Sequence, residues 1–414
     1  MMSVSSQQKQ NGLTLIELLI AMLLGTLMIL GATSMFTANK RIYKEVDYQG
    51  RLAENARFAM EMIIRDLRMT GYIGCAIQQD VNNDLDVRSG TDPDPTKLLS
   101  FMARTDATNE TNSIEGSESG GAWQPTGSTD ANEGGTAVLT ANTSVADFGV
   151  MMPVTMRTTS DGFTVRFLED TNTNLCASMT DRSDALNVQA QTAGAVAGNL
   201  FLGGNVYAAA DCEATNIFQL DADQAGVGDP PTFSLAHATG SSPGNITGLM
   251  SKQYTVSDPT NCAASPVDIM IFRARRYFVG EDQDGSPGLY RQIFDSNPNN
   301  TNTFEEFAER LIDGVENMQI LYGEDSTAPF NRVADTYVNA ATVTNWENVV
   351  SVKLALLFAT VDEDFTTPLD TRADYQLLNA APFDPTPLAG TDDHRRRKIV
   401  EATVSLRNRQ LSLD

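Results

Sequence analysis

The sequence predicts an α+β fold: one long N-terminal α-helix packed on an antiparallel β-sheet head with long loops. Three observations carry this. An apolar run extends from Leu13 to Ala38, and its helical spacing continues well beyond it. The last third of the chain alternates like strands. The middle is acidic, rich in Gly, Ser, Thr, Asn and Asp, and weakly patterned.

The helix comes first. From Leu13 to Ala38 the only ionisable side chain is Glu17. A run of about 26 residues is long enough to cross a bilayer. Lys40, Arg41 and Lys44 mark its exit, and no Gly or Pro interrupts until Gly50. Ala56, Met60, Ile63 and Leu67 then recur at helical spacing, with Arg57, Glu61, Arg65 and Arg68 on the other side. Gly71 and Gly74 end the pattern, so Leu13–Arg68 reads as one helix of about 84 Å. Gly25 and Gly31 fall inside the apolar half, and each weakens a helix by about 1 kcal/mol relative to Ala. Close helix packing and ordinary membrane-helix glycine both account for them. Gly71 suits a C′ cap, with Tyr72 and Ile73 folding back and Cys75 stapling the exit.

The head follows. Residues 104–135 and 211–261 read as long exposed loops or disordered insertions. Thr136–Thr140 and Phe163–Leu168 are short strand candidates. Asp268–Val279, Leu289–Phe294, Val315–Tyr322, Val349–Ala359 and Ile399–Leu406 read as strands, with a turn at Gly285–Gly288. Phe304–Ile312 reads as a short helix, capped by Asn302 or Thr303 and stopped at Gly314.

Charge and cysteines limit the chemistry. The net charge is −24, from 29 Lys and Arg against 53 Asp and Glu. This argues against nucleic acid as a direct partner, because phosphate binding needs clustered Lys and Arg. It also disfavours docking on an anionic lipid surface. The cysteines are Cys75, Cys176, Cys212 and Cys262, with no CxxC pair; an even number in an exported head implies two disulfides. Three connectivities are open, and the shortest loop favours Cys176–Cys212 with Cys75–Cys262.

No enzyme is expected. The two histidines, His237 and His394, sit in no HExxH, P-loop, GxSxG or Cys/His grouping. No catalytic residue and no resident cofactor is assigned. Calcium is the one metal with a ligand pattern: Glu281–Gly285 and Asp80–Asp86 carry oxygen ligands at alternate positions. The first has Gly280 where an acidic start belongs, and the second has Leu85 where the sixth-position Gly belongs, so solvated acidic turns outweigh a metal site. Arg395–Lys398 reads as a solvated strand start more than a grip for an acidic partner, and Trp123 and Trp346 as packing residues.

The N-terminus carries a resemblance. Gly12, an apolar residue at Leu13, and Glu17 at the fifth position after the Gly resemble the signal of type IV pilins and pseudopilins. The resemblance implies cleavage by prepilin peptidase between Gly12 and Leu13, N-methylation of Leu13, and retention of the apolar helix. The family usually has Phe where this chain has Leu13. It also implies that Glu17 sets assembly register by pairing with the terminal amine of an adjacent subunit. Such a pair, about 4 Å apart at an effective dielectric of ~20, gains roughly 4 kcal/mol before desolvation is subtracted. "RFAMEMIIRDL" followed by "LRMTGYIGC", then "LIDGVENMQILYGED", "VVSVKLALLFAT" and "RRRKIVEATVSLRNR", resemble PilW-type minor pilins.

That resemblance divides the chain into a leader (1–12), a transmembrane or filament-core half-helix (13–38), and an amphipathic half with its exit turn (39–75). An acidic variable region (76–265) and a C-terminal β-sheet region (266–414) follow. It implies a subunit held in the inner membrane with a periplasmic head, later carried into a pilus fibre on the cell surface. The implied partners are other minor pilins and the major pilin, prepilin peptidase, the inner-membrane assembly platform and a large tip adhesin. A minor pseudopilin of type II secretion, a pilus-associated adhesin-like binding module and a simple signal-anchored periplasmic protein are the alternatives.

Overall fold

The computed structural model describes residues 14–75, 81–83, 113–117, 138–140, 153–157, 159–191, 201–239, 245, 247–282, 285–296, 304–361, 369–372, 374–384 and 393–408. One helix, α1 (Leu15–Met69), opens the chain and runs as long as the sequence predicts. Among the described residues sixteen strands follow: β1 (Val81–Asn83), β2 (Ile114–Ser117), β3 (Val138–Thr140), β4 (Pro153–Met156), β5 (Gly162–Leu175), β6 (Leu186–Ala190), β7 (Val206–Ala210) and β8 (Thr215–Gln219). Next come β9 (Thr232–Leu235), β10 (Asp268–Glu281), β11 (Pro287–Ser296), β12 (Phe304–Asp313), β13 (Val315–Glu324), β14 (Thr336–Val338), β15 (Val349–Ala359) and β16 (Arg397–Ser405).

They build two sheets. The larger has 12 strands, with the path β1-β8-β7-β10-β5-β6-β9 and side strands β2, β3, β4, β11 and β12; all its pairs are antiparallel except β1 with β8. The smaller has the order β14-β13-β15-β16, antiparallel throughout. The α+β class and the antiparallel head are therefore as the sequence predicts.

The near-continuous apolar run of β15 has a direct explanation. Val352, Leu354, Leu356 and Phe358 face the core shared with α1. Ala355 and Leu357 face the other way, under Tyr375, Leu377 and Phe383. Both faces are buried, so alternation is lost.

β10 is the spine of the head. Its second half pairs with β5 and β11, and its first half with β5 and β7. Tyr277 and Val279 join the helix-side core, whereas Ile269 joins a distal core with Leu175, Phe201, Phe218, Phe233 and Tyr254.

Four sequence expectations are corrected. Phe304–Ile312 is strand β12, paired with β11 from Phe304 opposite Ser296 to Asp313 opposite Gly288; cross-strand pairing overrides the local helical pattern. Residues 211–261 are not only loop, since they supply β8 and β9, and both Ile217 and Phe233 are buried. Within 104–135, the described residues 113–117 include β2, with Ser113 and Ile114 buried. The disulfides are Cys75–Cys212 and Cys176–Cys262. Strand neighbours, not loop length, decide the pairing. Cys176 follows β5 and Cys262 precedes β10, and Leu175 donates to Val267 across these two strands. Cys212 lies in the β7–β8 turn, and the helix exit packs against that hairpin.

Candidate assembly interface

The N-terminal half of α1 stands clear of the head. Its apolar stretch is long enough to cross a membrane, and none of it is buried within the chain. Leu15 is 77% exposed and Phe36 71%. The polar side chains in this half are satisfied within the helix. Thr26 donates to the Leu23 carbonyl at 2.8 Å, Thr33 to Ile29 at 2.8 Å, Ser34 to Gly31 at 2.8 Å, and Thr37 to Ser34 at 2.9 Å. These four hydroxyls can therefore face an apolar environment with their donors met. A Cβ added at Gly25 or Gly31 meets nothing within 4 Å, so any close approach at these glycines comes from outside the chain.

Glu17 sits in the first turn and closes a capping box with Thr14. The Thr14 amide donates to the Glu17 carboxylate at 3.1 Å, and the Glu17 amide donates to the Thr14 hydroxyl at 3.4 Å. This holds the carboxylate back toward the start of the helix, where orphan N–H groups and the helix dipole favour negative charge. Gly12 and Leu13 lie outside the described residues.

The C-terminal half of α1 is seated. Leu52, Ala56, Ala59, Met60, Ile63 and Leu67 form the buried stripe. It packs against Phe163, Val165 and Phe167 of β5 and against Val352, Leu354 and Leu356 of β15, so both sheets close on it.

Asp66, 1% exposed, falls within this stripe. Its carboxylate accepts from Arg275 at 2.7 Å and from the Tyr277 hydroxyl, tying the helix to β10. Arg275 in turn lies 5.1 Å over the Phe167 ring. Burial raises the Tyr277 phenol above its usual range, and the Asp66 charge adds to this.

Anchors at both ends fix the helix along β16. Arg396 meets Glu45 at 3.1 Å, and the Asn408 amide donates to the Arg68 carbonyl at 3.0 Å. The helix rises about 35 Å between these anchors and the strand segment spans about 40 Å, so the two run side by side.

The exit turn follows the predicted plan. Gly71 takes φ +75°, its amide donates to the Arg166 carbonyl, and Tyr72 accepts from Leu168. Gly74 takes φ +85°, and a Cβ there would come within 2.9 Å of Met270 Cε. Cys75 then bonds Cys212.

Other candidate residues resolve differently. The run Arg395–Lys398 is not simply solvated. The Arg397 side chain is fully buried and paired with Glu316 at 2.6 Å, Asp370 at 2.7 Å and Asp393. Burial opposes its charge, but these carboxylates raise its pKa overall. Of the proposed calcium loops, Glu281 pairs with Arg157 at 2.6 Å and Asp282 with Arg310 at 2.5 Å; residues 283–284, 80 and 84–86 lie outside the described residues. Among the described residues no group of three or more His, Cys, Asp and Glu side chains could hold a metal ion. His237 is buried and contacts the Asp184 carbonyl at 3.0 Å. Trp346 packs edge-on against Tyr322, and Trp123 lies outside the described residues.

Sequence reasoning missed Asp66, Arg275, Tyr277 and the buried role of Arg397. The available signal was Asp66 itself, three residues after Ile63 and seven after Ala59, a carboxylate on the apolar face.

A single helix, half free and apolar, half seated on antiparallel sheets, defines a pilin-like subunit. Residues 7–33 match the prokaryotic N-terminal methylation motif. Residues 276–408, from the second half of β10 through β16, match the family described as Type IV Pilus-assembly protein W. The chain thus carries a region similar to the PilW family behind a prepilin-type N-terminus, and the two together support a type IV pilus minor pilin involved in pilus assembly. No curated protein and no solved structure gives a significant match.

Proposed function

We propose that this minor pilin is a non-enzymatic, tip-proximal subunit that primes pilus assembly with other minor pilins. The observation that carries the reading is the division of α1: its apolar half is left entirely outside the head, with one carboxylate at its start. Before assembly the helix rests in the inner membrane with the head in the periplasm. Prepilin peptidase cuts after Gly12, and the Leu13 amine is methylated. In the filament that amine, on one subunit, meets Glu17 of the next, and the pair forms only in the correct axial register. The large head, with its distal core beyond β10, suits a place at or near the tip, where bulk need not repeat along a shaft. The major pilin, the inner-membrane platform and a tip adhesin are the further partners of this scheme.

Two substitutions separate its steps. Gly12→Ala leaves unprocessed precursor. Glu17→Ala is still cut, but its recovery in sheared filaments falls at least tenfold relative to its membrane level, as immunoblots of both fractions measure. Normal assembly of Glu17→Ala removes the register role.

A further inference from the structure

The charge of this protein is distributed unevenly along the helix, and the seat of the head places the basic part at a defined height. Lys40, Arg41 and Lys44 fall within about a 100° arc of α1 in the first turns beyond the apolar run. Arg41 lies one turn below Glu45 on the same side, and Glu45 holds Arg396 of the head at 3.1 Å. The base of the head therefore reaches the helix only about 10 Å beyond Ala38. Tyr43, 79% exposed, adds an aromatic ring at this level, as membrane interfaces favour. The net charge of −24 does not cancel this collar, because acidic groups farther than about 8–10 Å are screened at physiological salt.

We propose that Lys40, Arg41 and Lys44, with Arg396 held beside them by Glu45, dock anionic phospholipid headgroups in the leaflet from which the helix emerges. The inference rests on the membrane-anchored stage of the proposed function. It replaces the bulk-charge expectation that this protein avoids anionic lipid with a local one. The contact also fixes depth. Glu17 lies 23 residues before Lys40, about 35 Å along the helix, against a hydrocarbon core of about 30 Å. With Lys40 at phosphate level, Glu17 rests at the opposite headgroup level, not at the bilayer centre. Its carboxylate is then buried only when the helix leaves lipid for a filament. Asp362, Glu363 and Asp364 lie outside the described residues, and the helix cations carry the proposal.

The test uses the full chain reconstituted in phosphatidylcholine vesicles containing 30% phosphatidylglycerol, with spin-labelled versions of each lipid. A surface cation contributes roughly fivefold in anionic-lipid affinity; counting only the exposed Lys40 and Arg41, and neither the half-buried Lys44 nor the paired Arg396 and Glu45, the expected preference for phosphatidylglycerol is about 25-fold. It falls to near onefold in the K40Q/R41Q/K44Q variant and to an intermediate value in Lys40→Gln alone, an exposed position where folding is not at risk. Arg57→Gln, higher on the helix, leaves the preference unchanged. Equal association of the two lipids with the natural chain overturns the proposal, as does a preference that survives the triple substitution or is lost with Arg57→Gln. A chain that does not enter vesicles at all overturns the membrane stage beneath it, which separates the two failures.

Discussion

The two halves of α1 obey different rules within one continuous helix. From Leu15 to Phe36 its large apolar side chains are exposed, and the hydroxyls between them turn back onto the helix's own carbonyls. From Leu52 to Leu67 an ordinary amphipathic stripe is buried under both sheets, with Asp66 clamped by Arg275 and Tyr277. Only the second half is explained by the fold of this chain. The first is built for surroundings the chain does not itself provide, and the difference separates residues that hold the subunit together from residues that join it to something else.

Substitutions can break or sharpen that contrast. The largest effect is expected at Asp66. Replacing it with Ala strands Arg275 and the Tyr277 hydroxyl against the helix, at a cost of about 3–5 kcal/mol. Denaturant unfolding of the full chain in detergent, followed by tryptophan fluorescence of the head, measures it. Ile63→Ala comes next: the side chain is fully buried, and its loss costs about 2–4 kcal/mol in the same assay. Met28→Ala, at a position 77% exposed, leaves head stability within about 0.5 kcal/mol. If Met28→Ala destabilised the head as much as Ile63→Ala, the two halves would not be separate in function.

The same contrast explains what could be read from the sequence. The free half is written locally: Leu13 to Ala38 needs no partner to be recognised, and Glu17 stands out because nothing near it is charged. β15 was equally legible, since a strand buried on both faces is a continuous apolar run. The clamp on Asp66 was not, because its partners lie 209 and 211 residues away. Phe304–Ile312 reads as a helix for as long as its pairing with β11 is unknown. The cysteines failed for the same reason: loop length is visible in a sequence, whereas the adjacency of the helix exit to the β7–β8 turn is not. Arg397 sits in a basic run that looks solvated until Glu316 and Asp370 arrive from other elements.

The central claim is that the free half of α1 is retained and used, with its start exposed by cleavage. Mass spectrometry of the mature N-terminus, from membranes and from sheared filaments of the same cells, tests it most directly. The account predicts a chain beginning at N-methyl-Leu13 in both fractions, with the apolar helix intact. A chain that still begins at Met1 in filaments, or that has lost the helix through residue 38, contradicts it.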